Sequence, residues 1–270
     1  MITKKIGIIG CGNMGEALLS RLSMIIEKST SIMVTETDEA RREYIEDKYK
    51  VIVGLDNNYL VKYSDVVIIA VKPKDVGTLL KDELCCSLEP KKLAISIAAG
   101  ITIKDIEKVI GKDVPVIRAM PNMPALVGEG MTAISRGTAV SDEDVKSAKE
   151  ILSVIGDVVL VDESLMDSVT AISGSGPAYF FYLAESMIEA AEELGLDKDL
   201  ARKLVFKTAL GSAKLLSCVG EDPAVLRAKV TSKGGTTEEA IKVFESKKLR
   251  GIIIEAAKKA RDRSKELSKG

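Results

Sequence analysis

Histidine is absent from this chain of 270 residues, and aromatic residues make up only 4% of it. Without an imidazole, the chain lacks the usual side chain for metal coordination, for Ser-His or Cys-His catalysis, and for proton donation in many dehydrogenases. We therefore expect no metal site and no imidazole-based catalysis.

Charge of one sign is not in excess either. The chain has 39 Lys and Arg against 40 Asp and Glu, a net charge of −1. This balance gives no reason to expect nucleic acid or an anionic membrane as a partner. The apolar fraction of 46% is enough for a substantial core, and the length suits one large or two ordinary domains.

Long apolar runs and paired cysteine motifs are also missing. The longest uncharged stretch, residues 169–184, is broken by the Ser173–Pro177 segment, so no membrane span is expected. Met1–Lys5 leads directly into a strand pattern, which argues against a signal peptide. The cysteines have no C-x-x-C spacing, and we expect reduced, mostly buried thiols and a cytoplasmic protein. They are Cys11, Cys85, Cys86 and Cys218.

The first part of the chain alternates short apolar runs with helical patterns, which indicates an α/β fold of the Rossmann type with a doubly wound, mostly parallel sheet. We assign residues 1–163 to this domain. The predicted strands are Ile6–Ile9, Ser31–Thr35, Val51–Val53, Val66–Val71, Leu93–Ile97, Val114–Ile117, Met131–Ile134 and Val158–Val161. The predicted helices are Gly15–Ile26, Asp38–Tyr49, Thr102–Ile110 and Asp142–Ile155.

After about Glu163 only helical patterns remain, which predicts a C-terminal all-helical domain over residues 164–270. The predicted helices are Pro177–Leu194, Lys198–Val219, a short one opening at Pro223, Glu238–Phe244 and Leu249–Leu267. Its many apolar residues are hard to bury in about a hundred residues, so we expect this domain to pack against another subunit. The charge-dense segment Lys258–Lys269 is typical of a solvated helix end.

The clearest motif is Gly10-Cys11-Gly12-Asn13-Met14-Gly15, which has the spacing G-x-G-x-x-G. It follows the first predicted strand and opens the first predicted helix. In that context glycines permit a tight turn and close approach of a pyrophosphate, whose charge the helix N-H groups would hold. The motif predicts a dinucleotide site.

The second strand ends at Glu36, twenty-one residues after Gly15. A carboxylate at this point binds the hydroxyls of the adenosine ribose and repels a 2′-phosphate, so the sequence favours NADH weakly over NADPH. Arg41 and Arg42 could accommodate the phosphate instead, but their helical setting favours a solvated face.

Later strand ends supply further candidates, because the carboxyl ends of parallel strands line the ligand crevice. Lys72 follows the fourth strand with Ala70 and Val71, and the small residues from Ala98 to Gly100 follow the next. Asn122 lies between two prolines in a loop and is a candidate contact to carboxamide or ribose.

In the helical part, Thr231–Thr237 is a small, polar loop that contains two glycines and leads into a helix. Its N-H groups and hydroxyls could converge on one anion, and a substrate carboxylate is the best explanation. The alternative is that Thr236 or Thr237 merely caps the helix.

The chain resembles pyrroline-5-carboxylate reductases over essentially its whole length. The resemblance rests on Ile9–Gly15, Ala70–Pro73, Ala98–Thr102, Arg118–Asn122 and, most specifically, Thr170–Tyr179 and Val230–Thr237. It implies reduction of L-1-pyrroline-5-carboxylate to L-proline by hydride transfer from NADH or NADPH, the last step of proline biosynthesis. It also implies an interlaced homodimer, with larger rings such as a decamer as a further option.

Residue roles follow from the same resemblance. The resemblance assigns substrate binding to the segment from Ser232 to Thr237 and makes Thr237 the catalytic candidate. The implied substrate contacts are Ser232, Gly235, Thr236 and Thr237, to which Lys233 is added as a nearby cation. The implied cofactor contacts are the glycine loop with Glu36, Asn57, Ala70, Lys72 and Asn122, beside Val71 and Ala98 from the strand ends.

Two positions depart from the family pattern. Lys233 replaces the usual proline and leaves its loop less rigid. Glu36 replaces the small hydroxylated or basic residue of members that prefer NADPH, which leaves the cofactor preference open.

The reaction suits a chain without histidine. A cyclic imine can bind as the protonated iminium, which is already electrophilic, so positioning supplies much of the acceleration. The alternatives are a β-hydroxyacid dehydrogenase, another cyclic imine reductase, or a non-catalytic dinucleotide sensor. The first would carry a lysine in a G-x-x-K-x-x-x-N setting, which the helix after Gly176 lacks.

Overall fold

The chain divides into two compact units. The first comprises Met1–Ser175 and Ala260–Gly270, and the second comprises Gly176–Lys259. The computed structural model describes residues 2–26 and 31–268. The domain boundary predicted after residue 163 stays a prediction. The two compact units divide after Ser175 instead, and the residues from Ala260 onward belong to the first unit.

A single eight-stranded sheet organises the first unit. Its strand order is β3-β2-β1-β4-β5-β6-β7-β8, and every neighbouring pair is parallel except β6 and β7. The strands are β1 Ile6–Ile9, β2 Ile32–Thr35, β3 Ile52–Gly54, β4 Val66–Ile69, β5 Leu93–Ser96, β6 Val116–Met120, β7 Gly130–Arg136 and β8 Gly156–Leu160. The predicted Rossmann-type, mostly parallel sheet is confirmed.

Helices cover the sheet and create two apolar clusters. One cluster contains Leu18 and Leu22 of the first helix, and the other contains Leu60, Leu79 and Leu84. β1, β2, β4 and β5 are buried along their whole length, which explains their unbroken apolar runs. The helices are α1 Asn13–Ile25, α2 Glu39–Tyr49, α3 Asn57–Tyr63, α4 Pro73–Leu79, α5 Ile103–Ile110, α6 Asp142–Leu152 and α7 Met166–Val169.

Capping residues fix the starts of two of these helices. Ser141 caps α6 in a reciprocal arrangement with Asp144, and Thr102 does the same with Asp105 at α5. The sequence did not predict α3, α4 or the π-helical turns Leu80–Leu84 and Thr170–Gly174.

The expectation that the thiols are mostly buried is wrong. Only Cys11 is buried, Cys85 is half-buried, and Cys86 and Cys218 are exposed. Cys85 and Cys86 directly follow the first π-helical turn, and Cys218 lies near the end of the exposed helix α9 (Lys198–Val219). All four thiols are free.

The second unit is helical, as predicted. Its elements are α8 Gly176–Glu193, α9 Lys198–Val219, α10 Pro223–Lys229, α11 Thr236–Ser246 and the first part of α12 Leu249–Leu267. Large apolar side chains of this unit are exposed, with Phe180 at 72% and Ile252 at 57%. None of the helices in residues 2–26 and 31–268 is both long enough and apolar enough to cross a membrane.

The last part of α12 is partly buried against the first unit, to which it belongs. Ser264 is buried, and its Oγ donates to Asp167 Oδ1 at 2.7 Å. A Cβ added at Gly100 would lie 3.4 Å from the Leu267 carbonyl oxygen, so the helix end lies close to the loop after β5. The expectation of a solvated end is therefore wrong at Ser264, while Lys269 lies outside the described residues.

Candidate functional site: a glycine loop and a second uncapped helix

The backbone of the glycine loop needs residues without a side chain at two positions. Gly10 has φ +83°, and a Cβ there would lie 3.1 Å from the Ala70 carbonyl carbon. A Cβ on Gly15 would lie 2.6 Å from the Gly10 carbonyl oxygen. These close approaches bring α1 tightly against the end of β1.

Gly12, the middle glycine of the motif, faces open space. Gly12 has no atom within 4 Å of an added Cβ, and it is the N-cap residue of α1 without a side-chain cap. Asn13 is exposed and Met14 half-buried in the first turn that follows. The first N-H groups of α1 therefore have neither a side-chain cap nor a partner within the helix.

Glu36 lies immediately after β2 and is tied to the glycine loop. Its Oε2 accepts the Cys11 N-H at 2.9 Å, and its Oε1 accepts the N-H groups of Thr37 at 2.7 Å and Asp38 at 3.2 Å. Burial by itself would raise the pKa of Glu36, but the N-H donors of Cys11, Asp38 and Thr37 outweigh it and lower the pKa. Glu36 is thus a fixed anion at the end of β2.

Cys11 contributes its backbone to the loop. Burial raises the pKa of its thiol to about 12, so the sulfur stays protonated and unreactive at neutral pH. Its carbonyl oxygen accepts the Arg41 Nε-H at 3.0 Å.

Arg41 and Arg42 do not form the solvated face that the sequence suggests. Arg41 also forms a short ion pair with Glu16 in α1, and Arg42 Nη1 donates to the carbonyls of Glu36 at 3.0 Å and Thr37 at 2.8 Å. Arg42 therefore braces the loop that presents Glu36, and Arg41 braces the glycine loop and α1. The sequence pattern could not reveal these partners, because they lie on other elements.

One cavity of about 260 Å³ brings four of the predicted cofactor residues together. They are Gly10, Glu36, Asn57 and Val71. Ala70 and the exposed Lys72 follow β4, and Ala98 lies buried after β5. Ala70, Lys72, Ala98 and Asn122 do not line this cavity. Its lining combines apolar side chains with the carboxylates of Glu36, Asp75 and Glu83. It is called the adenosine cavity below, after the cofactor group that the sequence predicts at the end of β2.

Asn122 has protein partners for its whole amide. Its Nδ2 lies 3.2 Å from both the backbone oxygen and the Oγ of Ser173, and its Oδ1 accepts the Met131 N-H at 2.9 Å. These bonds give Asn122 a positioning role between the loop after β6, the start of β7 and the second π-helical turn. Ser173 is a residue that sequence reasoning passed over, although it lies in the family-like segment Thr170–Tyr179.

The Thr231–Thr237 loop lies in the second unit, immediately before α11. Gly234 has φ +73°, and its N-H donates to Glu238 Oε2 at 2.6 Å. The Gly235 N-H donates to the Ser232 carbonyl at 3.0 Å, so this amide closes a turn inside the loop. Ser232 and Lys233 are exposed.

The N-terminus of α11 has no side-chain cap. Gly235 is the N-cap residue, and Thr236 and Thr237 are the first two residues of the helix. Capping by a threonine, the alternative from the sequence, is therefore wrong. The first N-H groups of α11 have no partner within the helix, as at α1.

Family models and curated relatives both indicate one family of reductases for this chain. Residues 163–267 match the family model described as pyrroline-5-carboxylate reductase dimerisation, and residues 5–100 match the model described as NADP oxidoreductase coenzyme F420-dependent. The chain is 43% identical to a pyrroline-5-carboxylate reductase of Synechocystis sp. over 98% of both chains.

Solved structures of the same family have the same fold as this chain. The chain is similar to the pyrroline-5-carboxylate reductase of Coxiella burnetii, with a TM-score of 0.92, 37% identity and full coverage of both chains. It is also similar to the pyrroline carboxylate reductase of Plasmodium falciparum with NADP bound, with a TM-score of 0.88, 29% identity and 99% coverage of both chains.

Proposed function

Since the chain belongs to the pyrroline-5-carboxylate reductase family, we propose that it reduces L-1-pyrroline-5-carboxylate to L-proline, the last step of proline biosynthesis. One observation carries the proposal beyond family membership. Each unit presents a helix whose N-terminus lacks a side-chain cap, α1 after Gly12 and α11 after Gly235. One suits a dinucleotide pyrophosphate and the other a substrate carboxylate.

The first unit provides the cofactor residues. Gly12 and the first turn of α1 would hold the pyrophosphate, and Glu36 would accept the hydroxyls of the adenosine ribose. Asn57 and Val71, which line the cavity beside Glu36, would contact the cofactor, and so would Lys72 after β4. When bound, the reduced nicotinamide supplies a hydride.

The second unit provides the carboxylate receptor. The N-H groups of Thr236 and Thr237 and their hydroxyls would bind the substrate carboxylate, with Ser232 as a further donor. Glu238 holds the Gly234 N-H and thereby fixes the loop in its left-handed turn.

The chemistry needs no strong acid from the protein. A protonated ring nitrogen already activates the imine carbon, and hydride addition yields an amine. The chain must therefore orient the ring, which Thr237 would do through a hydrogen bond to the ring nitrogen or to a bound water. We expect Thr237→Ala to lower kcat at least tenfold, whereas Lys242→Ala, on the same helix, should stay within twofold.

NADH is the proposed preferred cofactor. The Glu36 carboxylate is fixed by three backbone N-H groups and would repel a 2′-phosphate. Glu36→Ser should improve the kcat/KM for NADPH relative to NADH by about tenfold, the size of one charge repulsion. An unchanged ratio would assign the discrimination to another residue.

The proposed assembly is an interlaced homodimer, with a larger ring such as a decamer as its extension, and the proposed compartment is the cytoplasm. The exposed apolar side chains of α8 and α12 support self-association. The free thiols support a reducing compartment.

The decisive test is oxidation of NADH and NADPH in parallel with L-1-pyrroline-5-carboxylate, followed by detection of proline. Imine-dependent oxidation with stoichiometric proline supports the proposal. A folded, oligomeric sample that oxidises neither cofactor would contradict it and would direct attention to other cyclic imines or hydroxy acids.

A further inference from the structure

The adenosine cavity carries more negative charge than Glu36 alone gives it. Asp75 of α4 and Glu83 of the π-helical turn Leu80–Leu84 also line it, and within the described part of the chain its lining includes no lysine or arginine. The Arg42 guanidinium is nearby, but its Nη1 faces the carbonyls of the loop after β2. A 2′-phosphate entering this cavity would therefore meet several carboxylates.

Glu83 belongs to a hydrogen-bonded chain that crosses the cavity wall. The Thr35 Oγ1-H donates to Asn57 Oδ1 at 2.5 Å, and Asn57 Nδ2-H donates to Glu83 Oε2 at 2.7 Å. Thr35 is buried at the end of β2, and Asn57 is the first residue of α3. The chain thus joins the strand that precedes Glu36 to the turn that carries Glu83.

The order of donors in this chain has a simple cause. An ionised carboxylate can only accept hydrogen bonds, so Glu83 requires the NH₂ group of Asn57 on its side. The Asn57 carbonyl oxygen then faces Thr35, whose hydroxyl can donate. Glu83 therefore fixes which end of the Asn57 amide faces each neighbour.

The charge of Glu83 is also less compensated than that of Glu36. Three backbone N-H groups stabilise Glu36, two of them on one oxygen. The contact to Glu83 in this wall is a single neutral amide. A nearby phosphate would consequently feel more of the Glu83 charge.

We infer that Glu83 is a second determinant of cofactor choice, which excludes a 2′-phosphate by its charge and orients Asn57 toward the ribose of NADH. This inference rests on the proposed function for the identity of the ligand. It makes the preference for NADH a property of two elements, the loop after β2 and the π-helical turn.

The test is direct binding of NADH and NADPH, measured by fluorescence titration without substrate, on Glu83→Gln and Glu83→Ala. Glutamine keeps an acceptor for Asn57 but removes the charge. We expect NADPH affinity to rise about tenfold in Glu83→Gln, while NADH affinity stays within twofold. Glu83→Ala should show the gain for NADPH together with a severalfold loss for NADH, because Asn57 loses its partner.

The matched control is Asp82→Asn, which removes an exposed carboxylate from the same turn outside the cavity lining. It should leave both affinities within twofold. Unchanged NADPH affinity in Glu83→Gln, or a parallel loss for both cofactors, would overturn the inference. Because no imine is present, these outcomes are independent of whether the chain reduces pyrroline-5-carboxylate.

Discussion

The two units bury their apolar residues in different ways. In the sheet unit, Ile68 and Leu22 are fully buried, and two apolar clusters fill the spaces on either side of the strands. In the helical unit, Phe181 is 59% exposed and Ile253 is 56% exposed. The sheet unit therefore carries its own core, whereas the helical unit has the composition of a core whose other half must come from a second copy.

The largest expected effect comes from a charge on the exposed face of α8. Phe181→Glu would place a carboxylate in the proposed dimer interface, twice in a symmetric dimer, where an aromatic ring would otherwise be buried. We expect dimer affinity to fall at least hundredfold and imine reduction to be lost, as measured by sedimentation and activity assays. Glu192→Gln on the same helix is the control, and a variant that stays dimeric would contradict the assignment of this face.

A core truncation in the sheet unit should be the next largest effect. Ile68→Ala in β4 removes a fully buried side chain and should lower the free energy of unfolding by about 2–5 kcal/mol. This loss should not change with protein concentration. The loss from Phe180→Ala should depend on concentration, and denaturation at two concentrations therefore separates the two kinds of burial.

The stability of the sheet unit should depend on pH through Glu16. Burial would raise the pKa of this α1 carboxyl, but hydrogen bonds from Tyr49, Lys48, Tyr44 and Arg41 lower it to about 2. A depressed folded pKa contributes stability above the unfolded pKa, and that contribution is lost as the pH falls from about 5 toward 2. Glu16→Gln should cost about 2 kcal/mol at pH 7.

The cost of Glu16→Gln should shrink steadily on acidification below pH 5. A cost that stays constant from pH 7 to pH 3 would mean that packing of the side chain, and not its charge, supports α1 and α2. Asp47→Asn provides a control, because its partner Lys50 is an exposed neighbour on the same segment.

The smallest expected effect concerns the end of α12, which belongs to the sheet unit. Ser264→Ala removes the hydrogen bond to Asp167 and should lower the free energy of unfolding by about 1 kcal/mol. Ser217→Ala, an exposed serine on α9, should be neutral. Equal effects of the two substitutions would show that the Ser264 contact contributes nothing to stability.

Local patterns predicted the elements that hold the site. The apolar runs identified every strand to within a few residues, and the predicted start of the first helix, Gly15, lies two residues after the observed start of α1. The reversed direction of β7 could not be predicted, because it depends on the path of the loop after Met120 and not on the composition of the strand. The helix α3 was missed because its seven residues are too few to show a helical periodicity.

The site was predictable where one segment provides it and not where distant segments meet. The glycine loop and the loop before α11 are continuous motifs, so the sequence alone could name their residues as candidates. The partners of Asn122 and Asn57, which are Ser173 and Glu83, lie 51 and 26 residues further along the chain. Only the fold brings such residues together, and a single sequence gives no signal for either pairing.

The most direct test of the account is NADH binding by the monomeric Phe181→Glu variant, after circular dichroism has shown that it is folded. If the sheet unit forms the cofactor site by itself and the second copy completes the helical unit, NADH affinity should stay within twofold of the parent while imine reduction is lost. A loss of NADH affinity in proportion to the loss of the dimer would contradict the account, because the sheet unit would then depend on the partner for its own site.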